Sequence, residues 1–234
     1  DHRVVALDLP GHGVSSKRPE HVYRMAFFAE AVEAVAGHLG LDAPVVVGHS
    51  MGAHIAVTLA LRGGAPPRGL VLVNPAGFEA FSSEDAALVR AAASARAYRA
   101  LTREQLEAAM RVTVARWDAD AAGLAALRWS LLDSPEADEH ARAVEGCVHA
   151  MVDDPILGRL GDVRRPALVV MGDGDRLIPN PHLHPDLTPA AVAEAGARTL
   201  GADLWIVEGT GHMVPAEVPG PFAARVRAFV AGLS

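Results

Sequence analysis

Val45-Val46-Val47-Gly48-His49-Ser50-Met51-Gly52, followed by Ala53 to Leu61, is the stretch that decides the fold. Three β-branched residues stop at a glycine-flanked polar pair, and an apolar run of helical length follows. The pattern predicts a strand, a sharp turn and a helix, with Ser50 on the turn of a G-x-S-x-G sequence. A serine there sits in strained backbone, and glycine is expected on both sides because a Cβ would clash. The turn lifts the Ser50 hydroxyl clear of the sheet and sets it at a helix N-terminus, where the Met51 amide can stabilise negative charge. The plainer alternative is a serine that only caps a buried helix. No Asp, Glu, Lys or Arg lies between Asp42 and Arg62. Pro44 and the polar turn interrupt that stretch, so no membrane span is expected.

Similar short apolar runs recur at Val4 to Leu7, Leu70 to Val73, Ala167 to Met171 and Leu204 to Val207. Continuous rather than alternating hydrophobicity suits strands buried on both faces of a parallel sheet. Helix-length segments fall at Met25 to Leu39, Met51 to Leu61 and Phe222 to Val230, which makes this an α/β fold with a mostly parallel central sheet flanked by helices. The alternation breaks between Phe78 and Arg165, where three or four helices are expected and no strand. Thr102 with Gln105 reads as a capping box there, Ser134 before Pro135 as an N-cap, and Trp117, Trp129, Met110 and Met151 as the apolar bulk. Residues 1–77 and 166–234 are thus expected to form the core, with 78–165 inserted as a helical cap above the carboxyl edge of the sheet. From Ile178 to Pro189, four prolines around His182 and His184 predict a rigid loop, ending at an N-cap Thr188 before a helix to about Leu200.

Half of the 234 residues are apolar and 21% are charged, enough for a large core. The net charge of −7 argues against a nucleic-acid or anionic-membrane partner. A single cysteine, Cys147, excludes a disulfide framework and a cysteine-rich zinc site. The chain opens at Asp1 without methionine and is soon in a strand-like run, so it reads as continuing from further residues, and the missing signal stretch does not set its location. A cytoplasmic location is expected.

A serine nucleophile needs a base, because its hydroxyl is protonated at neutral pH. His212 stands out among 11 histidines. It lies in Glu208-Gly209-Thr210-Gly211-His212, a glycine-rich loop leaving the carboxyl end of a strand. His49 and His54 read as packing groups, His12 as a turn residue, His149 as a cap residue, and His182 with His184 as a weak H-x-H metal pair. The base needs an orienting carboxylate. Gly172-Asp173-Gly174-Asp175 offers two, and Asp175 is favoured because the chain must turn past Gly172 before a side chain points back over the sheet; Asp173 then caps that turn. The other topologically reasonable acid position, after Val73, holds Asn74.

These motifs resemble the α/β-hydrolase superfamily, in its capped serine esterase and C–C hydrolase branch. The resemblance rests on Asp8-Leu9-Pro10-Gly11-His12-Gly13, the Gly48 to Gly52 turn, Gly172-x-x-Asp175 with Pro179, and Gly211-His212, in the chain order Ser, Asp, His. It implies hydrolysis of a small or medium carboxylic ester, thioester or lactone with an apolar acyl or alkyl group. Ser50 is then the nucleophile, His212 the base, Asp175 its orienting acid and the Met51 amide an oxyanion donor, with no cofactor or metal. It also implies a second oxyanion donor from residues preceding Asp1. Alternatives are C–C cleavage of a β-diketone-like substrate, whose elbow often carries asparagine where His49 stands, and a non-catalytic small-molecule receptor.

Overall fold

Four parallel strands in the spatial order β1-β2-β3-β4 organise the computed structural model, which describes residues 2–233. The strands are β1 (Val45–His49), β2 (Gly69–Val73), β3 (Ala167–Gly172) and β4 (Asp203–Val207). Each falls within two residues of the run expected for it. The registers Val47↔Val71, Val71↔Leu168 and Val169↔Leu204 align the carboxyl ends of the strands along one edge. Both faces of β2 and β3 are covered, which is why these two strands read as unbroken apolar runs. Leu70, Leu72, Val169 and Met171 pack on one face with Ala53, Ala56 and Val57 of α2 (Met51–Leu61) and Val192, Ala193 and Ala197 of α8 (Pro189–Leu200). Val71, Val73, Leu168 and Val170 face the other side, against Val214 of α9 (Val214–Glu217) and Phe229 of α10 (Pro219–Ala231). Helix α1 (Met25–His38) packs Met25, Phe28 and Ala29 against Ile55 and Leu59 of α2.

Val4 to Leu7, expected as a fifth strand, pairs with no strand and lies on the surface, with Val4 86% exposed. A strand is stabilised by its neighbours' hydrogen bonds, and no described strand flanks this run. β1 is instead the margin of the sheet, with Val47 51% exposed.

Between β2 and β3 lies the helical insert: α3 (Ser83–Ala92), α4 (Ala95–Arg99), α5 (Arg103–Val112), α6 (Ala119–Leu132), α7 (Ala137–Asp153) and a 3-10 turn at Leu157–Asp162. That is five α-helices rather than three or four, because Ser82, Ser94, Thr102 and Asp118 each cap a new start with a side-chain oxygen. The Thr102–Gln105 capping box forms as expected. Ser134 does not cap α7, which begins at Ala137; its hydroxyl donates to the Leu131 carbonyl and accepts from Glu136 N–H, closing a turn before the helix. The insert's core is built from alanines with Leu106, Leu132 and Leu160 rather than from tryptophan: Ala121, Ala125, Ala137, Ala141, Ala143 and Ala150 are buried, while Trp117, Trp129, Met110 and Met151 are only half-buried. Small residues let helices approach closely with little side-chain entropy to lose. Among the described residues no helix is long and apolar enough to cross a membrane.

Candidate active site

Ser50 stands between β1 and α2 with φ 54° and ψ −117°, a positive φ that non-glycine residues rarely adopt. Four backbone bonds hold it: Ser50 N–H donates to the Val73 carbonyl at 2.9 Å, while its own carbonyl accepts from Ala53 N–H at 3.0 Å, Ala76 N–H at 3.2 Å and His54 N–H at 3.4 Å. A Cβ on Gly48 would lie 2.2 Å from the Gly52 carbonyl oxygen, so glycine is required there. Gly52 differs from the expectation: a Cβ on it would meet nothing within 4 Å, because the first turn of α2 faces open space at that point. The Ser50 hydroxyl caps no amide of α2, so the plain capping alternative does not apply. Met51 is the first residue of α2, where an amide has no acceptor within its own helix. The second oxyanion donor expected ahead of Asp1 lies outside the described residues.

Asp175 follows β3 by three residues and is buried. Its Oδ1 accepts from the amides of Leu177 at 2.7 Å and Ile178 at 3.1 Å. Its Oδ2 accepts from His212 Nδ1 and from Asn74 Nδ2, both at 2.7 Å. Burial pushes the carboxyl up, but the bond and charge of His212, with the bonds from Leu177 and Asn74, outweigh it and hold the group below the ordinary carboxylate range. Asp173 does not cap its own turn; its Oδ1 accepts from Gly209 N–H at 2.8 Å and ties the β3 loop to the β4 loop.

His212 is buried with its Nδ1 on Asp175, the arrangement that leaves Nε2 unprotonated in the neutral ring. Its backbone is held on both sides. His212 N–H donates to the Thr113 carbonyl at 2.8 Å, and its own carbonyl accepts from His49 Nε2 at 2.7 Å. The His49 and His212 rings lie 4.7 Å apart, so the serine turn and the histidine loop are in direct contact. Burial, then the neighbouring His212, lowers the pKa of His49 to about 4. It is a neutral donor at physiological pH.

Asn74 is a contributor that the sequence does not identify as such. It occupies the end of β2 with φ 43°, a conformation that asparagine tolerates better than most residues, and is fully buried against Asp175. Only its place after Val73 marks it.

Four other histidines lie elsewhere. His54 is fully buried in α2 with Nε2 on the Asp154 carbonyl. His12 is in a turn with Nδ1 3.2 Å from the Pro10 carbonyl. His149 lines a surface cavity of 230 Å³ with Lys17, Tyr23 and Arg142. His184, of the proline-rich loop, sits 3.5 Å from Glu79, whose carboxyl burial pushes up.

The chain is similar along its length to several known proteins. It is 30% identical to the dihydrolipoyllysine-residue acetyltransferase component of an acetoin cleaving system from Cupriavidus necator, across 99% of this chain but 57% of that protein. It is 28% identical to a 2-hydroxy-6-oxononadienedioate/2-hydroxy-6-oxononatrienedioate hydrolase from Klebsiella pneumoniae, over 98% of this chain and 77% of that one. Among solved structures, a probable hydrolytic enzyme from Pseudomonas aeruginosa superposes with a TM-score of 0.82 at 22% identity, covering 95% of this chain and 74% of that one. An esterase from Exiguobacterium antarcticum gives 0.76 at 18% identity, covering 96% and 80%. These two likenesses are of fold. The profile of the Alpha/beta hydrolase family matches residues 1–225, and the chain belongs to that family.

Proposed function

We propose that the protein is a serine hydrolase that cleaves a small or medium carboxylic ester, thioester or lactone through an acyl-enzyme. The observation that carries this reading is the 2.7 Å bond from His212 Nδ1 to a fully hydrogen-bonded Asp175, on a loop that touches the strained Ser50 turn. Ser50 Oγ attacks the carbonyl carbon while His212 Nε2 takes its proton. The Met51 amide faces the oxyanion that develops. The imidazolium, stabilised by Asp175, returns the proton to the leaving alcohol, thiol or tethered hydroxyl. Water then attacks acyl-Ser50 with His212 again acting as base, releasing the acid.

A second reading, hydrolytic C–C cleavage with the same three residues, is favoured by the similarity to the Klebsiella pneumoniae hydrolase. Both readings require a reactive Ser50. A fluorophosphonate probe followed by peptide mass spectrometry is expected to label Ser50 alone, and Ser50→Ala to lose both labelling and turnover of short p-nitrophenyl esters while still folding. Labelling at another residue, or turnover retained in Ser50→Ala, overturns the assignment. Comparing esters with vinylogous 1,5-diketone acids as substrates separates the two reactions.

A further inference from the structure

Glu217, the last residue of α9, accepts from two backbone amides that lie far from each other in sequence. Its Oε1 takes the N–H of Gly211 at 2.9 Å, and its Oε2 takes the N–H of Ala115 at 2.8 Å. Gly211 precedes His212, and Ala115 lies in the connector between α5 and α6 of the helical insert. The same connector meets the histidine directly, since the Thr113 carbonyl accepts from His212 N–H. The two backbones are in close contact. A Cβ on Gly211 would lie 2.8 Å from Ala115 N and 2.9 Å from the Thr113 carbonyl oxygen, so no side chain fits between them. No lysine or arginine pairs with Glu217 among the described residues, and its two carboxylate oxygens serve these amides.

We propose that Glu217 is a positioning residue for His212, clamping the Gly211–His212 backbone to the Thr113–Ala115 strap of the insert so that the insert and the base hold one geometry. The proposal rests on the reading of His212 as general base. The Nδ1–Oδ2 bond orients the imidazole ring, but the ring's location follows its backbone. That backbone is fixed by three groups from outside the loop: Thr113, His49 and Glu217. A misplacement of about 1 Å in a reacting group costs on the order of 100-fold in rate. Removing the carboxylate frees the strap and leaves the buried Gly211 amide without an acceptor, which favours a shifted loop.

The test is steady-state hydrolysis of p-nitrophenyl acetate by the full chain, with each preparation's active sites counted by fluorophosphonate titration. Glu217→Ala is expected to lower kcat per titrated site by about 10- to 100-fold with KM changed by less than about threefold. Glu217→Gln keeps the side chain's length and one acceptor, and is expected to recover part of that loss. It also serves where the alanine variant does not fold, with a kcat still several-fold below wild type. A purely structural role would lower the melting temperature and leave kcat per titrated site at the wild-type value, and that outcome overturns the proposal. Ser50→Ala and His212→Ala in the same assay distinguish the two levels. Turnover retained in either removes the triad reading and this proposal with it. Loss in both, with wild-type kcat in the Glu217 variants, removes the clamp alone.

Discussion

At the carboxyl ends of the strands, every turn is held by other elements, whereas residues 2–22 are held mostly by themselves. Ser50 bonds to the end of β2, Asn74 bonds to β3 and to Asp175, and Asp175 bonds to the loop after β4. Near the start, Gly11 N–H donates to Ser16, His12 N–H to Leu9, Ser15 N–H to His12, and Val14 N–H to the Asp8 carboxylate. Both regions contain short β-branched apolar runs. Only the runs that pair with a neighbouring strand become strands, and at their carboxyl ends the strained residues Ser50 and Asn74 are held. Strain costs of order 1–3 kcal/mol per residue and persists where several partners over-determine it.

The largest effect expected at the carboxyl edge is that of Asp175→Asn. The variant keeps the shape but offers an amide where His212 Nδ1–H needs a carboxylate oxygen, so the ring is held in the wrong tautomer. A loss in kcat on the order of 10⁴-fold is expected. Asp173→Asn, two residues earlier, retains an oxygen for Gly209 N–H and is expected to stay within about tenfold of wild type, because Asp173 touches no member of the proposed triad. Equal losses in the two variants, measured on one activated ester, would break the distinction between an orienting acid and a loop tie.

Much of the carboxyl edge is legible in the sequence because its signals are local. The strand–turn–helix of Val45 to Leu61 needs only its own residues, and α2 begins and ends where the pattern predicts. Asp175 and His212 follow from their positions just past two strands. Some of the contacts that hold them are not legible, because they reach far along the chain. Asn74 meets Asp175 across 101 residues, and Glu217 meets Ala115 across 102. Nothing in the spacing of Glu217 marks it, and Thr113 acts through a backbone carbonyl, which its side chain does not advertise. The run Val4 to Leu7 errs the other way. Its composition is that of a buried strand, but composition cannot supply a neighbour.

A smaller effect sharpens the description of the edge as a place where groups are buried in fixed protonation states. Burial and the adjacent His212 lower His49 to about 4, below its ordinary value near 6.5. As pH falls below about 6.5 the unfolded chain binds a proton at this position before the folded chain does, so folding stability is lost. Going from about pH 7.5 to about pH 5, His49 alone is expected to remove about 2 kcal/mol. His49→Gln can still donate to the His212 carbonyl but does not titrate. Urea unfolding at the two pH values is therefore expected to show a shallower decline in the variant, with a residual slope from His12, His54 and His140, whose pKa values burial also lowers. An unchanged decline would mean that the His49 side chain is solvated in the folded protein.

The smallest expected effect comes from the exposed segment. Val4→Ser removes two methyl groups from a side chain that is 86% exposed and pairs with no strand, so it forfeits almost no buried area. Unfolding free energy is expected to change by less than about 0.5 kcal/mol. Leu72→Ala is the matched control inside the sheet. Leu72 is fully buried between α2 and α8, and its truncation is expected to cost about 2–5 kcal/mol through lost transfer energy and the cavity left behind. The pair is read by denaturant unfolding at one pH, with equal slopes required so that midpoints report stability. A cost for Val4→Ser approaching that for Leu72→Ala would place Val4 in a packed strand. The contrast between the two regions would then be one of degree, and the free margin of β1 would have to be covered in solution.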